Sequence, residues 1–307
     1  MTSPELTGLT AVVVNWNTPD YTIRSAEALI ADGVPPDRVV VVDNGSHDDS
    51  FEQFQQRLGD CVLVKLERNI GYGRAANRGA RELRGEHYLF VNNDAFVHAT
   101  GSVGRLVANL ADERIGVVVP RLLNVDFTLQ PSVSPTHSPA VALVRASGLS
   151  RFIPNRWQPS WSTHWNHDTS REVEAVLGAV VLVRGETWER LGGYDERIYM
   201  YAEDLDLCWR ARRHGWRVWF CAEAEFVHIG NISTRQAWAD PRRGELIGRS
   251  EAGMIRRNLP PWSAQLTLWL ISGGIAGRWL VRRALGQKEA AASLRGSLRG
   301  FLSRSES

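Results

Sequence analysis

Carboxylates and amides that could handle a phosphorylated ligand fall at regular places along this chain. Asn92-Asn93-Asp94 follows the apolar run His87 to Val91, and Asp43-Asn44-Gly45-Ser46 follows Arg38 to Val42. Asn15, Trp16 and Asn17 close a third run that begins at Thr10. Further on, Glu203, Asp204 and Asp206 set three carboxylates within four residues at the start of a helical pattern, and His228 lies in Phe226-Val227-His228-Ile229-Gly230. A diphosphate calls for a hard divalent cation, which takes oxygen ligands and needs only one or two carboxylates when phosphate and water supply the rest. Asp94 is the candidate ligand, although an isolated strand-end aspartate also serves as a turn residue. An acidic residue at a helix start contributes about 0.3–1 kcal/mol, so capping explains one or two carboxylates at residues 203–206 better than three. Asp204, at the helix entrance, can act as a general base on a hydroxyl within hydrogen-bond reach. His228 reads equally well as a satisfied core histidine.

Gly71-Tyr72-Gly73-Arg74-Ala75-Ala76 satisfies the dinucleotide fingerprint G-x-G-x-x-A. That fingerprint belongs after the first strand of a sheet, and the first strand here ends in Asn15-Trp16-Asn17 with no glycine turn. A dinucleotide-dependent oxidoreductase is therefore the weaker reading. A nucleotide-sugar binder without catalysis is another alternative.

The elements that must position these residues follow from periodicity. Thr10 to Asn15, Arg38 to Val42, Cys61 to Leu66 and His87 to Val91 read as buried strands, each followed by a helical pattern or a polar turn. Strands alternating with helices predict a parallel, doubly wound α/β sheet with ligands beyond the carboxyl ends of its strands. A helix over Ser102 to Leu110 and strands over Ile115 to Pro120, Val173 to Val183 and Val218 to Cys221 follow, with a helix over Asp204 to His214. Between Asn124 and Ser170 periodicity fails in a Pro-rich stretch containing the Trp157 to Trp165 cluster, which predicts a long functional excursion that meets the acceptor.

With 43% hydrophobic and 23% charged residues the chain can bury a full core, which excludes a disordered or fibrous protein. Cys61, Cys208 and Cys221 show no CxxC spacing, so neither a disulfide framework nor a thiolate zinc site is expected. Residues 1–9 lack the apolar stretch of a signal peptide, and a reducing, cytoplasmic location is expected. Net charge is +2, but residues 241–307 hold 12 Lys/Arg against 4 Asp/Glu, net +8, leaving −6 for residues 1–240. An acidic body with a basic tail argues against nucleic-acid binding. Trp262 to Gly277 carries no charge for 16 residues, short of the roughly 20 needed to span a bilayer. An interfacial helix at the inner face of the cell membrane, or a terminal helix packed on the body, fits instead. The expected division is a catalytic unit over 1–240, with a nucleotide-binding half (1–120) and an acceptor half (121–240), and a basic helical extension over 241–307.

Taken together, VVVNWN, VVDNGSHDDS, NIGYGRAANRG, LFVNND, GAVVLVRGETWERLGGYDERIYMYAEDLDLCWRARRHGW and FVHIGNIS resemble, in order, the family 2 glycosyltransferases of the GT-A fold. The likeness covers roughly residues 10–235 and is closest to a rhamnosyltransferase-like bacterial branch. The resemblance implies a Rossmann-like sheet and inverting transfer of a sugar, dTDP-rhamnose being the donor the branch suggests, to a saccharide or lipid-linked saccharide in cell-surface polysaccharide synthesis. It implies that Asn15, Asn17 and Asp43 line the nucleoside pocket, with Asn69, Gly71 and Arg74 near the nucleotide or diphosphate. Asn92 and Asp94 stand where the family carries its DxD motif, with Asn92 replacing the first carboxylate. Asp94 and His228 would then hold Mg²⁺ or Mn²⁺. Asp204, second of the Glu203-Asp204 pair, matches the catalytic base, and Gly178 and Ala179 fall where sugar and acceptor meet.

Overall fold

A computed structural model describes residues 6–147, 165–230 and 241–303. Its first half is the expected alternation. β1 (Leu9–Asn15), α1 (Pro19–Ala31), β2 (Val39–Asp43), α2 (Ser50–Arg57), β3 (Val62–Lys65), α3 (Tyr72–Glu82) and β4 (His87–Asn92) build a parallel sheet in the order β3-β2-β1-β4. All residues of β1 and β2 are buried because helices cover both faces. Val12, Val14, Val40 and Val42 point to the α3 side, and Ala11, Val13, Val39 and Val41 to the α1 side, the two-residue alternation of a pleated strand. α3 lies so close to the sheet that a Cβ on Gly79 would stand 2.6 Å from Val12 Cγ1 and 2.8 Å from Val42 Cγ2.

The second half departs from a doubly wound sheet. After β5 (Ala95–Val97), α4 (Ser102–Ala108) and β6 (Ile115–Leu123) come β7 (Leu129–Gln130), β8 (Val133–Ser134) and α5 (Pro139–Ser147). Part of the unpatterned 124–170 stretch is thus ordered structure, while Trp157 and Trp161 lie outside the described residues. The apolar run 173–183 is not one strand: β9 (Arg171–Val173) and β10 (Ala175–Val176) precede β11 (Val180–Arg184). β11 runs antiparallel between β4 and β6. α6 (Gly185–Leu191), α7 (Glu203–Arg213) and β12 (Arg217–His228) follow, with β12 parallel to β6 and antiparallel to β5. The cysteines are free and buried.

Three C-terminal helices complete the described chain: α8 (Pro241–Asn258), α9 (Pro261–Ala284) and α10 (Lys288–Leu302). α9 is longer than its uncharged stretch and has two faces. Ala264, Thr267, Leu268, Ser272 and Ile275 are buried, whereas Trp262 (71%), Leu266 (44%), Trp269 (70%) and Leu280 (58%) are exposed on the opposite side. Among the described residues no helix is long and apolar enough to cross a membrane.

Candidate active site

Strand register gathers the polar residues at one edge. Asn15 pairs with Asp43 and Val14 with Asn92, so β1, β2 and β4 end level with one another. Asn15 is fully buried. Its Nδ2 donates to Asp43 Oδ1 (3.2 Å) and Ser46 Oγ (3.0 Å), and its Oδ1 accepts from the Thr22 hydroxyl (2.8 Å). The Ser46 hydroxyl also donates to Asp43 and accepts the Asn17 N–H, while Asn17 Oδ1 accepts from His47 N (2.8 Å) at a left-handed turn, φ 54°. Alongside, Asn44 Nδ2 donates to Asn69 Oδ1 (3.1 Å) and its Oδ1 accepts from Ile70 N, and the Tyr199 hydroxyl donates to Asn69 Oδ1 (3.1 Å). Gly71 admits no side chain, since its φ is +92° and a Cβ would meet Tyr199 O at 2.1 Å. Asn44 and Ser46 belong to the polar run that closes the second strand, whereas Tyr199 carries no mark in the sequence pattern. Arg74 is drawn aside, its Nε donating to Glu196 O (2.6 Å).

Asp94 and His228 lie 134 positions apart and meet because β12 pairs with β5, His228 opposite Ala95, with Ile229 N donating to Asp94 O (3.0 Å). His228 Nε2 stands 3.3 Å from Asp94 Oδ1, with the two side chains 18% and 13% exposed. Gln130 explains the orientation of the ring. Its Nε2 donates to His228 O (3.1 Å) and Asn124 Oδ1 (3.0 Å), which leaves its Oε1 to accept from His228 Nδ1 at 2.6 Å. A proton held on Nδ1 leaves the Nε2 lone pair facing Asp94, the arrangement a metal-binding imidazole requires. Among the described residues no three His, Cys, Asp or Glu side chains form a closed cluster. The pair therefore fits a hard cation whose remaining ligands are phosphate oxygens and water. Asn92 is partly exposed, and its backbone N–H donates to Ala179 O (2.8 Å).

That hydrogen bond links β4 to the Gly178-Ala179 turn, against which α7 begins. Asp204 is held by two backbone donors: Leu205 N–H reaches Oδ1 at 2.8 Å and Gly178 N–H reaches Oδ2. Burial pushes the Asp204 carboxyl above the ordinary aspartate range, against the opposing pull of these N–H groups. Glu203 is raised by burial and by the neighbouring Asp204 charge, and its Oε2 has no partner. Two anions side by side in a protein-lined cleft are costly, and the N–H donors favour ionisation at Asp204. Burial and the neighbouring charge thus raise Glu203, pushed up to about 8, while the N–H donors at Asp204 work against its rise. The Tyr72 hydroxyl is pushed upward by burial and by the Glu203, Asp204 and Asp94 charges. Its ring contacts Tyr194 edge-on, and the sequence pattern offered no signal for it beyond the glycines on either side.

The helix start is strained. Tyr201 and Ala202 have φ of 65° and 72°, each costing about 1–3 kcal/mol for a non-glycine residue. Neighbouring bonds hold them: Tyr72 N to Tyr199 O (3.1 Å), Ser250 Oγ to Met200 O (2.8 Å) and Arg243 Nε to the Tyr201 hydroxyl (3.1 Å). The third carboxylate serves this support. Asp206, 1% exposed, accepts from Arg210 Nε (2.6 Å) and Asn258 Nδ2 (2.7 Å), tying α7 to α8. A cavity of about 360 Å³ beside Arg81 and Trp188 is lined by none of these groups apart from the Gly192-Gly193 turn that Arg210 also holds.

The sequence profile of glycosyl transferase family 2 matches residues 10–167. An N-acetylglucosaminyl-diphospho-decaprenol L-rhamnosyltransferase of Mycobacterium tuberculosis is 30% identical over 261 residues, 79% of this chain and 82% of its own. The low-salt glycan biosynthesis hexosyltransferase of Haloferax volcanii is 25% identical over 97% of this chain and 92% of its own. Among solved structures, a mannosyltransferase from Pyrobaculum calidifontis in complex with GDP-Man and Mn²⁺ superposes with a TM-score of 0.61 at 18% identity, covering 99% of this chain and 90% of that one. This last likeness supports the GT-A fold.

Proposed function

The chain belongs to glycosyl transferase family 2, and on that premise we propose that it is an inverting rhamnosyltransferase, moving L-rhamnose from dTDP-rhamnose to a lipid-linked saccharide. The observation that carries the mechanism is the carboxylate of Asp204, fixed by the Gly178 and Leu205 N–H groups at a helix start. Asp204 removes the proton of the acceptor hydroxyl, whose oxygen attacks the anomeric carbon as the nucleoside diphosphate leaves from the opposite face. One displacement inverts the configuration and needs no covalent sugar intermediate. Its raised pKa makes Asp204 a stronger base than a solvated aspartate, and Glu203, pushed up to about 8 by burial and the Asp204 charge, gives up its proton less readily than a solvated glutamate. Asn15, Asn17 and Asp43 shape the nucleoside end, Asn69, Gly71 and Asn92 the diphosphate end, and Gly178 and Ala179 the meeting point of sugar and acceptor. Arg74 joins the diphosphate end only by exchanging its bond to Glu196 for one to phosphate. Asp94 and His228 would hold a divalent cation, Mg²⁺ or Mn²⁺, whose chemistry when bound would be to offset negative charge on the diphosphate. Residues 1–120 and 121–240 then act as donor and acceptor halves, with 241–307 as their extension.

The donor and acceptor reading draws on the relative whose name includes both rhamnose and a diphospho-lipid. Incubation with a panel of nucleotide sugars and a GlcNAc-diphospho-lipid should yield product one deoxyhexose heavier by mass spectrometry with dTDP-rhamnose. Transfer from a UDP- or GDP-sugar instead would replace the donor. Nucleoside diphosphate binding without any product would make the chain a non-catalytic binder. The outward stripe of α9, Trp262, Leu266, Trp269 and Leu280, with Arg278, Arg282 and Arg283 at its end, suits peripheral attachment to anionic lipid. Sedimentation with anionic vesicles should fall in Trp262→Ser/Trp269→Ser, and undiminished sedimentation would refute the attachment.

A further inference from the structure

Two residues carry the chain from one strand ladder to another at the cation end of the site. The last rung of β4 against β1 is Asn92 opposite Val14, and the first rung of β5 against β12 is Ala95 opposite His228. Asn93 and Asp94 lie between these rungs, in neither ladder. On the β12 side the turn is fixed by Ile229 N–H, which donates to the Asp94 carbonyl at 3.0 Å. On the other side the tie is a side chain. Asn93 Nδ2 donates to Thr18 Oγ1 at 2.6 Å and to Thr22 Oγ1 at 3.3 Å, at the start of α1 and 75 and 71 positions earlier in the chain. An asparagine that simply turns the chain bonds to backbone close by in sequence, whereas this one reaches a different element. α1 also grips the strand after the turn, the Arg24 guanidinium lying 4.2 Å from the centre of the Phe96 ring.

Donor and acceptor roles run in one direction through this contact. A carboxylate accepts and does not donate, so the Asn15 amide turns Nδ2 toward Asp43 and Ser46 and Oδ1 toward α1. Thr22 is fully buried, and the nearer of the two acceptors for its hydroxyl proton is Asn15 Oδ1 at 2.8 Å, the other being Thr18 O at 3.2 Å. With its proton committed, the Thr22 oxygen offers Asn93 a lone pair, which is why the amide nitrogen of Asn93 faces it. Thr18 N–H donates to the same Asn15 Oδ1 at 3.3 Å. Asp43, Asn15, Thr22 and Asn93 thus form one hydrogen-bonded path from the end assigned to the nucleoside to the residue next to Asp94.

We propose that Asn93 is a positioning residue for the cation: its amide ties the Asp94 turn to α1, and Thr22 joins that tie to Asn15. The inference rests on Asp94 and His228 as the cation ligands of the proposed function, and the two can fail separately. Mn²⁺ binding to the full chain is read by electron paramagnetic resonance with whichever of dTDP, UDP or GDP binds held saturating. Affinity for the same nucleotide without metal is read by calorimetry in EDTA. Asn93→Ala should weaken Mn²⁺ by about tenfold while metal-free nucleotide affinity stays within about twofold, which also controls for folding. Thr22→Val keeps the side-chain shape without the hydroxyl, and it should weaken both Mn²⁺ and the metal-free nucleotide. Thr22→Ser should restore both, whereas a role confined to the packing of the Thr22 methyl would leave Thr22→Ser the worse variant. Because both changes break one path, Asn93→Ala/Thr22→Val should bind Mn²⁺ no more weakly than Asn93→Ala alone. Unchanged Mn²⁺ affinity in Asn93→Ala, nucleotide binding lost together with Mn²⁺ in that variant, Thr22→Ser as weak as Thr22→Val, or losses that add in the double variant would each overturn the proposal. A wild type that binds no Mn²⁺ would refute the cation reading and this inference with it. Failure of rhamnosyl transfer alone would refute the donor assignment and leave the binding result standing.

Discussion

Around Asn15 and Asp43 each polar side chain is met by another part of the chain, whereas around Glu203 and Asp204 the backbone is strained and one carboxylate oxygen has no partner. The donor edge has the economy of a binding site: Asn15, Ser46, Asn44 and Asn69 hold one another in place before any ligand arrives, so little ordering remains to be done on binding. On the proposed function, the Glu203-Asp204 edge is the one where reaction takes place. Burial raises both of its carboxyls, backbone N–H groups hold Asp204, and its helix begins with two residues in a conformation they rarely adopt. Strain of this kind persists only where surrounding contacts enforce it. Here α8 supplies several of those contacts.

The contrast makes separable claims. The largest effect is expected from Asp204→Asn, which should lower kcat by about 10³-fold while nucleoside diphosphate affinity changes by less than about twofold. Transfer at the wild-type rate would remove Asp204 from the mechanism. In the wild type, kcat/KM should fall as pH is lowered through the raised Asp204 value, since the base must be ionised, and this limb should lie above the 3.8 of an ordinary aspartate. Next comes the support behind the acceptor edge. Asp206→Ala removes one partner of a buried ion pair and should cost about 3 kcal/mol, read as a lower thermal midpoint, with donor binding retained below the transition. A midpoint equal to wild type would show that the tie between α7 and α8 contributes nothing. The smallest effect tests the boundary between the edges. Gln130→Leu takes away the acceptor for His228 Nδ1–H and should raise the Mn²⁺ concentration needed for half-maximal transfer by about tenfold. An unchanged requirement would mean that the orientation of His228 is set elsewhere.

The donor edge was the more legible in sequence because continuous β-branched runs mark buried parallel strands, and a polar residue at the end of such a run has one edge to occupy. Asn15, Asp43 and Asn92 could be placed together on that ground. The acceptor edge depends on pairings that no local pattern contains. Nothing around Gln130 announces a partner 98 residues away, and Asp206 looked like part of an acidic cluster because Asn258 lies 52 residues further on. The break at Leu177-Gly178-Ala179 was hidden inside an apolar run that reads as one strand, so the antiparallel insertion of β11 was missed. Tyr201 and Ala202 gave no hint of positive φ, for neither type favours it. One face of α9 packs on the body, as a terminal helix would, while the opposite face with Trp262 and Trp269 is exposed.

The tie between α7 and α8 also bears on how such chains can be recombined. Arg257 of α8 reaches Asp195 at 3.1 Å, and Asn258 reaches Asp206, so the last turn of α8 grips both the loop before the base and the helix that carries it. A chimera that keeps residues 1–240 and borrows a foreign tail would lose these grips even if the borrowed helices were stable. The tail behaves as a keystone, and exchanging acceptor preference by cassette would have to carry over α8 together with its partners at Asp195 and Asp206.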